Sequence, residues 1–296
     1  KDPIGAYINE TESGSPWRIL GRLSFITPFM IAVFYMVITV WIFGYFVEIA
    51  QGNLSELAKP DTFGIFINSK RVFIYLFVVG AFVNFILVSG VKKGIERAAK
   101  IMMPALFIML IGLVVFVLTL DNASIGLSYY LVPDFSKINT SVVNSALSQA
   151  FFSLSLGMGI LITYGSYVSK SESIASSAKF VAVADTTVAF FAGLLILPAI
   201  FVINPNTDPA QLSDSSVGMI FTYLPKLFLA LEPLIGYLGA SVVAFVFFLL
   251  VFFAAITSLV SIVEVPTSSL IDTLKLKRKN KIVIFVSSGV FQCITI

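Results

Sequence analysis

Four stretches of this chain carry polar groups inside apolar surroundings. FFSLSLGMGILITYGSY, residues 151–167, sets Ser153, Ser155, Gly157 and Gly159 within an uncharged run from Ile138 to Ser169. Asp185 lies in KFVAVADTTVAFFAGLLILP, and FFAAITSLVSIVE, residues 252–264, pairs the hydroxyls of Thr257 and Ser258 with Ala254 one turn earlier. Tyr35 sits in FMIAVFYMVITVW. Hydroxyls, a carboxylate and unwound carbonyls are hard oxygen donors that suit a cation such as sodium. The N-terminal amides of a helix that restarts after a break suit a carboxylate. Each stretch also has a plainer reading. Gly and Ser at this spacing let two helices approach closely, an aspartate near a helix end can reach water, and Thr and Ser often bond back to their own helix. A tyrosine hydroxyl in mid-span needs a partner, either a neighbouring helix or a substrate.

The elements that must position these groups are membrane helices. The chain of 296 residues is 58% hydrophobic and 12% charged, with mean hydropathy +0.98, far from the roughly 25% charged composition of soluble domains. It therefore reads as an all-α, polytopic integral membrane protein. There is no histidine and a single cysteine, Cys293, which excludes histidine acid–base catalysis, His/Cys metal sites and internal disulfides. No nucleophile with a nearby base stands out, so an enzyme is not expected. A net charge of +3 is small, and a bilayer rather than nucleic acid is the expected partner.

A spanning helix needs about 20 apolar residues, since about 30 Å of hydrocarbon is crossed at about 1.5 Å per residue. Seven segments approach this: 23–49, 72–91, 99–120, 142–168, 178–203, 236–270 and 282–296. They read as a single transmembrane domain, residues 1–296. The last is short, the chain starts with Lys1, and no signal-peptide pattern precedes the first apolar run, so truncation at both ends is the expectation. Short cytoplasmic loops are enriched in Lys and Arg. Placing the N-terminus in the cytoplasm leaves only Lys59, Lys70, Arg71, Lys137 and Lys226 outside, five of nineteen, and the other fourteen inside. The outer loop 204–233 has an apolar second half that predicts a short helix over the outer face, as either a lid or a folded connector.

A helix interrupted by glycines within lipid survives only where protein or a wet cavity satisfies its backbone, and such breaks mark the midplane sites of many secondary transporters. Together the four stretches resemble the neurotransmitter:sodium symporter family, especially its bacterial amino-acid transporters. FFSLSLGMGILITYGSY is similar to the family's broken sixth helix, GIERAAKIMMPALF to the inner loop leading into the fifth, and FFAAITS to the eighth. The likeness runs over the whole chain. It implies that the segments are helices three to nine of about a dozen in an inverted-repeat fold, with helices one and two of the same protein outside this sequence.

The resemblance assigns roles residue by residue. A first sodium site draws on Ser153 and Asp185; many relatives have asparagine at the second position. Ala189 stands where many members place serine or glutamate, which implies chloride independence with Asp185 supplying the charge. A second sodium site draws on the Ala254 carbonyl and the hydroxyls of Thr257 and Ser258. Tyr35 corresponds to the tyrosine that bonds the substrate carboxylate, and Phe152 to the aromatic lid above it. Ile31, Ser155, Met158, Leu259 and Ile262 line the side-chain pocket, with Gly157 and Gly159 in the break. That pocket is apolar and uncharged, so a neutral, hydrophobic amino acid is the implied substrate. Tyr167 and Asp272 correspond to the cytoplasmic gate, although Asp272 also reads as an ordinary loop acid.

The expectation is therefore sodium-coupled amino-acid symport by alternating access in the plasma membrane. The competing readings are a sodium-independent carrier of a related broken-helix fold and a channel.

Overall fold

The computed structural model describes residues 3–10, 16–89, 94–169, 171–207 and 216–275. The expected segment 282–296 lies outside the described residues. Helices of very different length follow one another: α1 (Pro3–Glu10), α2 (Trp17–Ala50), α3 (Leu54–Leu57), α4 (Thr62–Ile67), α5 (Arg71–Ser89), α6 (Gly94–Leu118), α7 (Ala123–Leu131), α8 (Thr140–Ser153), α9 (Ile160–Gly165), α10 (Ile174–Ile203), α11 (Ser216–Leu229) and α12 (Glu232–Leu274). No strand occurs among the described residues. Among the described residues four stretches are long and apolar enough to cross a membrane: Ile19–Ala50, Lys100–Leu118, Ile174–Ile203 and Glu232–Asp272. The apolar part of α5, Arg71–Leu87, is shorter.

Local sequence explains the boundaries that shift from expectation. α10 starts at Ile174 because the Ser173 hydroxyl accepts from the Ser176 amide at 3.4 Å, supplying one of the acceptors that a helix start lacks. Asn139 caps α8 in the same way, accepting from the Val142 amide at 3.0 Å. The earlier start of α10 places Asp185 about three turns into the helix rather than two. α12 begins at Glu232 and continues through a non-helical Gly236 (φ 72°).

The core is an antiparallel pair. The end of α2 meets the start of α12, where Tyr237 Oη donates to the Gly52 carbonyl at 2.6 Å. From there the rings of Phe46 and Phe245 (4.8 Å) and of Phe43 and Phe252 (5.0 Å) pack in reverse order along the two helices. α11, formed by the apolar half of loop 204–233, presses Phe221 against Tyr45 (4.9 Å) and Phe63 (5.1 Å). Burying such rings contributes about 2 kcal/mol each, so this helix is seated on the bundle. α7 lies on α10 through Gly126, where a Cβ would come within 2.5 Å of Pro198 Cα.

At the α5 end of α2 a carboxylate is enclosed. The Glu48 side chain, 10% exposed, accepts from Arg71 Nη1 (2.8 Å), Asn53 Nδ2 (2.8 Å) and Tyr75 Oη (3.4 Å). A charge taken from water needs this many donors, and they tie the end of α2 to the start of α5.

The segment 142–168 is not one helix. α8 stops at Ser153, residues 154–159 are non-helical, and α9 restarts at Ile160. Ser155 (φ 57°), Gly157 (φ 76°) and Gly159 (φ 73°) all take left-handed backbone. The Leu156 amide donates to the Phe151 carbonyl (2.8 Å) and the Ser155 amide to the Phe152 carbonyl (3.1 Å). This is the Schellman arrangement that satisfies the last carbonyls of a helix, with serine at the position usually held by glycine.

Candidate functional site

The break faces α2 and α12 across a cavity of about 590 Å³, which also touches α8, α9 and α10. Ile31 and Tyr35 line it from α2, Ser258 and Ile262 from α12, and Ser155 and Met158 from the break. Phe152 and Ser153 form its wall at the end of α8. A second hollow of about 530 Å³ adjoins it, sharing Ile31, Phe152 and Met158, and Gly157 lies there.

Two groups of oxygen atoms flank this space. Ser153 Oγ donates to Asp185 Oδ1 at 2.6 Å, joining α8 to α10. The carboxylate keeps its second oxygen and Ser153 its lone pairs, a donor set that fits a hard monovalent cation. On α12, Thr257 Oγ1 donates to the Ala254 carbonyl at 2.8 Å. This is the bond back to the helix that the sequence left open as the plainer reading. It sends the Thr257 proton away and leaves the oxygen's lone pairs unspent by that bond. Tyr35 and Ser258 line the cavity from opposite helices, α2 and α12. Among the described residues no three His, Cys, Asp or Glu side chains converge.

Several expected positions face elsewhere. Leu259 is fully buried and is absent from the cavity lining, because one residue along a helix turns the side chain about 100° from Ser258. It supports the wall from behind. Gly159 is buried too, and a Cβ there would lie 2.8 Å from Pro3 Cγ and 3.0 Å from the Ser24 carbonyl. It is the point where α1 packs beneath the break, rather than a surface of the cavity. Tyr167 Oη donates to Glu264 Oε1 at 3.0 Å, whereas Asp272 is exposed about two turns further along α12. Of the two residues expected at the inner gate, Tyr167 is thus held by Glu264 in these contacts.

Sequence reasoning missed Gln149, Tyr164 and Ser261 in the cavity wall, and Glu264, which is 1% exposed. Signals for three of them were present. Ser261 is four residues after Thr257 and therefore shares its face, and an ionisable residue within an apolar helix marks a functional position by default. Gln149 is four residues before Ser153, again on one face. The partner of Tyr164, Ser261 Oγ at 2.8 Å, is 97 residues away and no local pattern announces it.

Comparison with known proteins agrees with this geometry. Residues 67–296 match the sodium:neurotransmitter symporter family. An uncharacterized sodium-dependent transporter of Haemophilus influenzae is 35% identical over 286 residues, covering 93% of this chain and 59% of its own length. The uncharacterized sodium-dependent transporter YhdH of Bacillus subtilis is 35% identical over 283 residues, with the same two coverages, 93% and 59%. The chain thus spans 59% of the length of these curated relatives. The crystal structure of MhsT in complex with L-phenylalanine superposes with a TM-score of 0.83 at 33% identity, covering 99% of this chain and 64% of MhsT. An all-α fold with an interrupted crossing, a family match over residues 67–296 and 35% identity across most of the sequence lead to one conclusion: the chain belongs to the sodium:neurotransmitter symporter family.

Proposed function

We propose that the whole protein carries out sodium-coupled symport of a neutral, hydrophobic amino acid by alternating access. The observation that carries this reading is the Ser153–Asp185 contact beside the broken helix, which concentrates oxygen donors and one negative charge next to an uncharged, largely apolar cavity. The site stands as a proposal, with Ser153 and Asp185 as ligands of one sodium ion, and the Ala254 carbonyl, Thr257 and Ser258 as ligands of a second. Tyr35, which lines the cavity opposite Ser258, receives the substrate carboxylate. Phe152 closes over it, while Ile31, Met158 and Ile262 surround the side chain. Tyr167 and Asp272 belong to the inner gate, with Glu264 as the acid that holds Tyr167 in this conformation.

Each cosubstrate raises the other's affinity because they share this space, and linkage makes that effect reciprocal. The ion gradient then drives the amino acid inward, with the membrane potential adding about 2.3 kcal/mol per charge per 100 mV. Such work is needed in a plasma membrane, with the N-terminal end of this chain on the cytoplasmic side, as the distribution of Lys and Arg supports. The MhsT complex with L-phenylalanine supports a hydrophobic substrate, and two sodium-dependent relatives support the ion.

The test is uptake of tritiated L-leucine and L-phenylalanine by proteoliposomes containing the whole protein, with an inward sodium gradient. Saturable accumulation against a gradient, abolished when choline replaces sodium, is expected. Accumulation that persists in choline identifies a sodium-independent carrier, and flux that neither saturates nor concentrates its solute identifies a channel.

A further inference from the structure

Three hydroxyls link α9 to one stretch of α12. Tyr164 Oη donates to Ser261 Oγ at 2.8 Å, Ser261 Oγ donates to the Thr257 carbonyl at 2.9 Å, and Thr257 Oγ1 donates to the Ala254 carbonyl at 2.8 Å. Each hydroxyl owns one proton, so the direction of the Tyr164–Ser261 bond follows from Ser261 giving its own to the Thr257 carbonyl, while the Thr257 hydroxyl bonds Ala254 separately and shares only its residue with that chain. Ser261, having given its proton to the Thr257 carbonyl, serves Tyr164 as an acceptor. Thr257, having given its own to Ala254, presents lone pairs alone to the cavity. Tyr164, Thr257 and Ser261 all line that cavity.

We infer that Tyr164 and Ser261 are positioning residues that make the cation ligands at Ala254 and Thr257 sensitive to the state of the broken helix. This inference rests on the sodium-symport reading given above. α9 has only six residues and follows left-handed backbone at Gly159, so its placement against α12 is set by few contacts. A substrate touching Ser155 and Met158 acts on the segment that α9 continues. Any displacement of α9 withdraws Tyr164 from Ser261, and Ser261 then loses the bond that selects its rotamer. The Thr257 carbonyl loses a fixed second donor beside its helix amide, and the Ala254–Thr257 turn loses its set geometry. Conversely, an ion held by that turn keeps the chain aligned and α9 in place. The neighbouring link, Tyr167 to Glu264, joins the turn just past α9 to the next turn of α12 and is absent from the cavity lining. Tyr164 is therefore the contact that joins the break to the ligands themselves.

The experiment is equilibrium binding of tritiated L-leucine or L-phenylalanine, whichever the wild type binds more tightly, to the purified whole protein over a sodium titration with choline as the balancing cation. Removing one link of a neutral hydrogen-bond chain is expected to raise the sodium midpoint three- to tenfold in Tyr164→Phe and in Ser261→Ala. The shift in midpoint should exceed any change in binding at saturating sodium. The double variant should match the singles, because both break one chain, and Ser261→Thr, which keeps the hydroxyl, should keep the wild-type midpoint. Unshifted midpoints, additive shifts, or a shift in Ser261→Thr equal to that in Ser261→Ala overturn the inference, as does an equal loss of binding at saturating sodium. A wild type without any sodium-dependent binding removes the transport reading and this inference with it. Sodium-dependent wild-type binding with unshifted variants removes the inference alone.

Discussion

Ser153 and Asp185 are 32 residues apart in sequence and 2.6 Å apart in space, and theirs is the bond that ties the last residue of α8 to the middle of α10. It brings a carboxylate to the edge of the unwound stretch, where carbonyl oxygens have lost their helical partners.

The first prediction concerns charge. Ala189 offers neither a hydroxyl nor a carboxylate four residues further along α10, and on the proposed reading Asp185 supplies the charge that chloride would otherwise bring. Uptake by the whole protein should be unchanged when gluconate replaces chloride. Asp185→Asn should raise the half-saturating sodium concentration about tenfold, equivalent to about 1.4 kcal/mol. A wild type whose uptake collapses in gluconate refutes the assignment.

The second separates two glycines. Both Gly157 and Gly159 have positive φ, so alanine at either costs about 1–2 kcal/mol in backbone strain. Only Gly159 is also enclosed, with Pro3 Cγ 2.8 Å from the position a Cβ would take, while nothing lies within 4 Å of that position at Gly157. Thermal unfolding in detergent should place Gly159→Ala below Gly157→Ala, and Gly157→Ala below wild type. Equal melting temperatures for the two variants contradict the packing of α1 beneath the break.

A third prediction tests the Tyr35 hydroxyl. On the proposed reading Tyr35→Phe removes one donor to the substrate carboxylate, a kind of bond whose net contribution is about 1.5–3 kcal/mol, so substrate affinity should fall at least tenfold. The ring remains, so melting temperature should change little. The useful control is the amino-acid amide, which lacks the carboxylate charge: its weak binding should be nearly the same in wild type and Tyr35→Phe.

The fourth addresses stability away from the cavity. Glu48→Ala strips the acceptor from Asn53, Arg71 and Tyr75. Because the Arg71 side chain is 65% exposed, solvent takes over part of its loss, and the net cost should be about 1–2 kcal/mol. The measurement is a melting temperature at low and high salt. Substrate affinity in the folded fraction should remain that of wild type.

Much of this architecture was legible because lipid leaves few choices. Long apolar runs must be helices, and the Ser- and Gly-rich SLSLGMG, residues 153–159, marks a candidate break in one. The hydroxyl pair at Thr257 and Ser258 announced itself by adjacency. What stayed hidden depended on side-chain direction or on distant contacts. The resemblance implied Leu259 as a pocket residue beside Ser258, yet helical geometry turns its side chain into the core. Gly159 read as part of the break's open face until α1, more than 150 residues earlier, was placed beneath it. Short helices such as α3, α4 and α7 escaped a search for membrane-length segments, and Glu264 was passed over because it merely ended a quoted stretch. The pairing of α2 with α12 has no local signature; it rests on rings of Phe43, Phe46, Phe245 and Phe252 meeting across some two hundred residues.

Ser155 occupies left-handed backbone that glycine would hold without strain, at a place where its hydroxyl borders the cavity. A collection of variants at this codon should therefore split into two populations. Glycine, freed of about 1 kcal/mol of torsional misfit, should survive heating better yet handle its cargo worse, the familiar opposition between durability and performance.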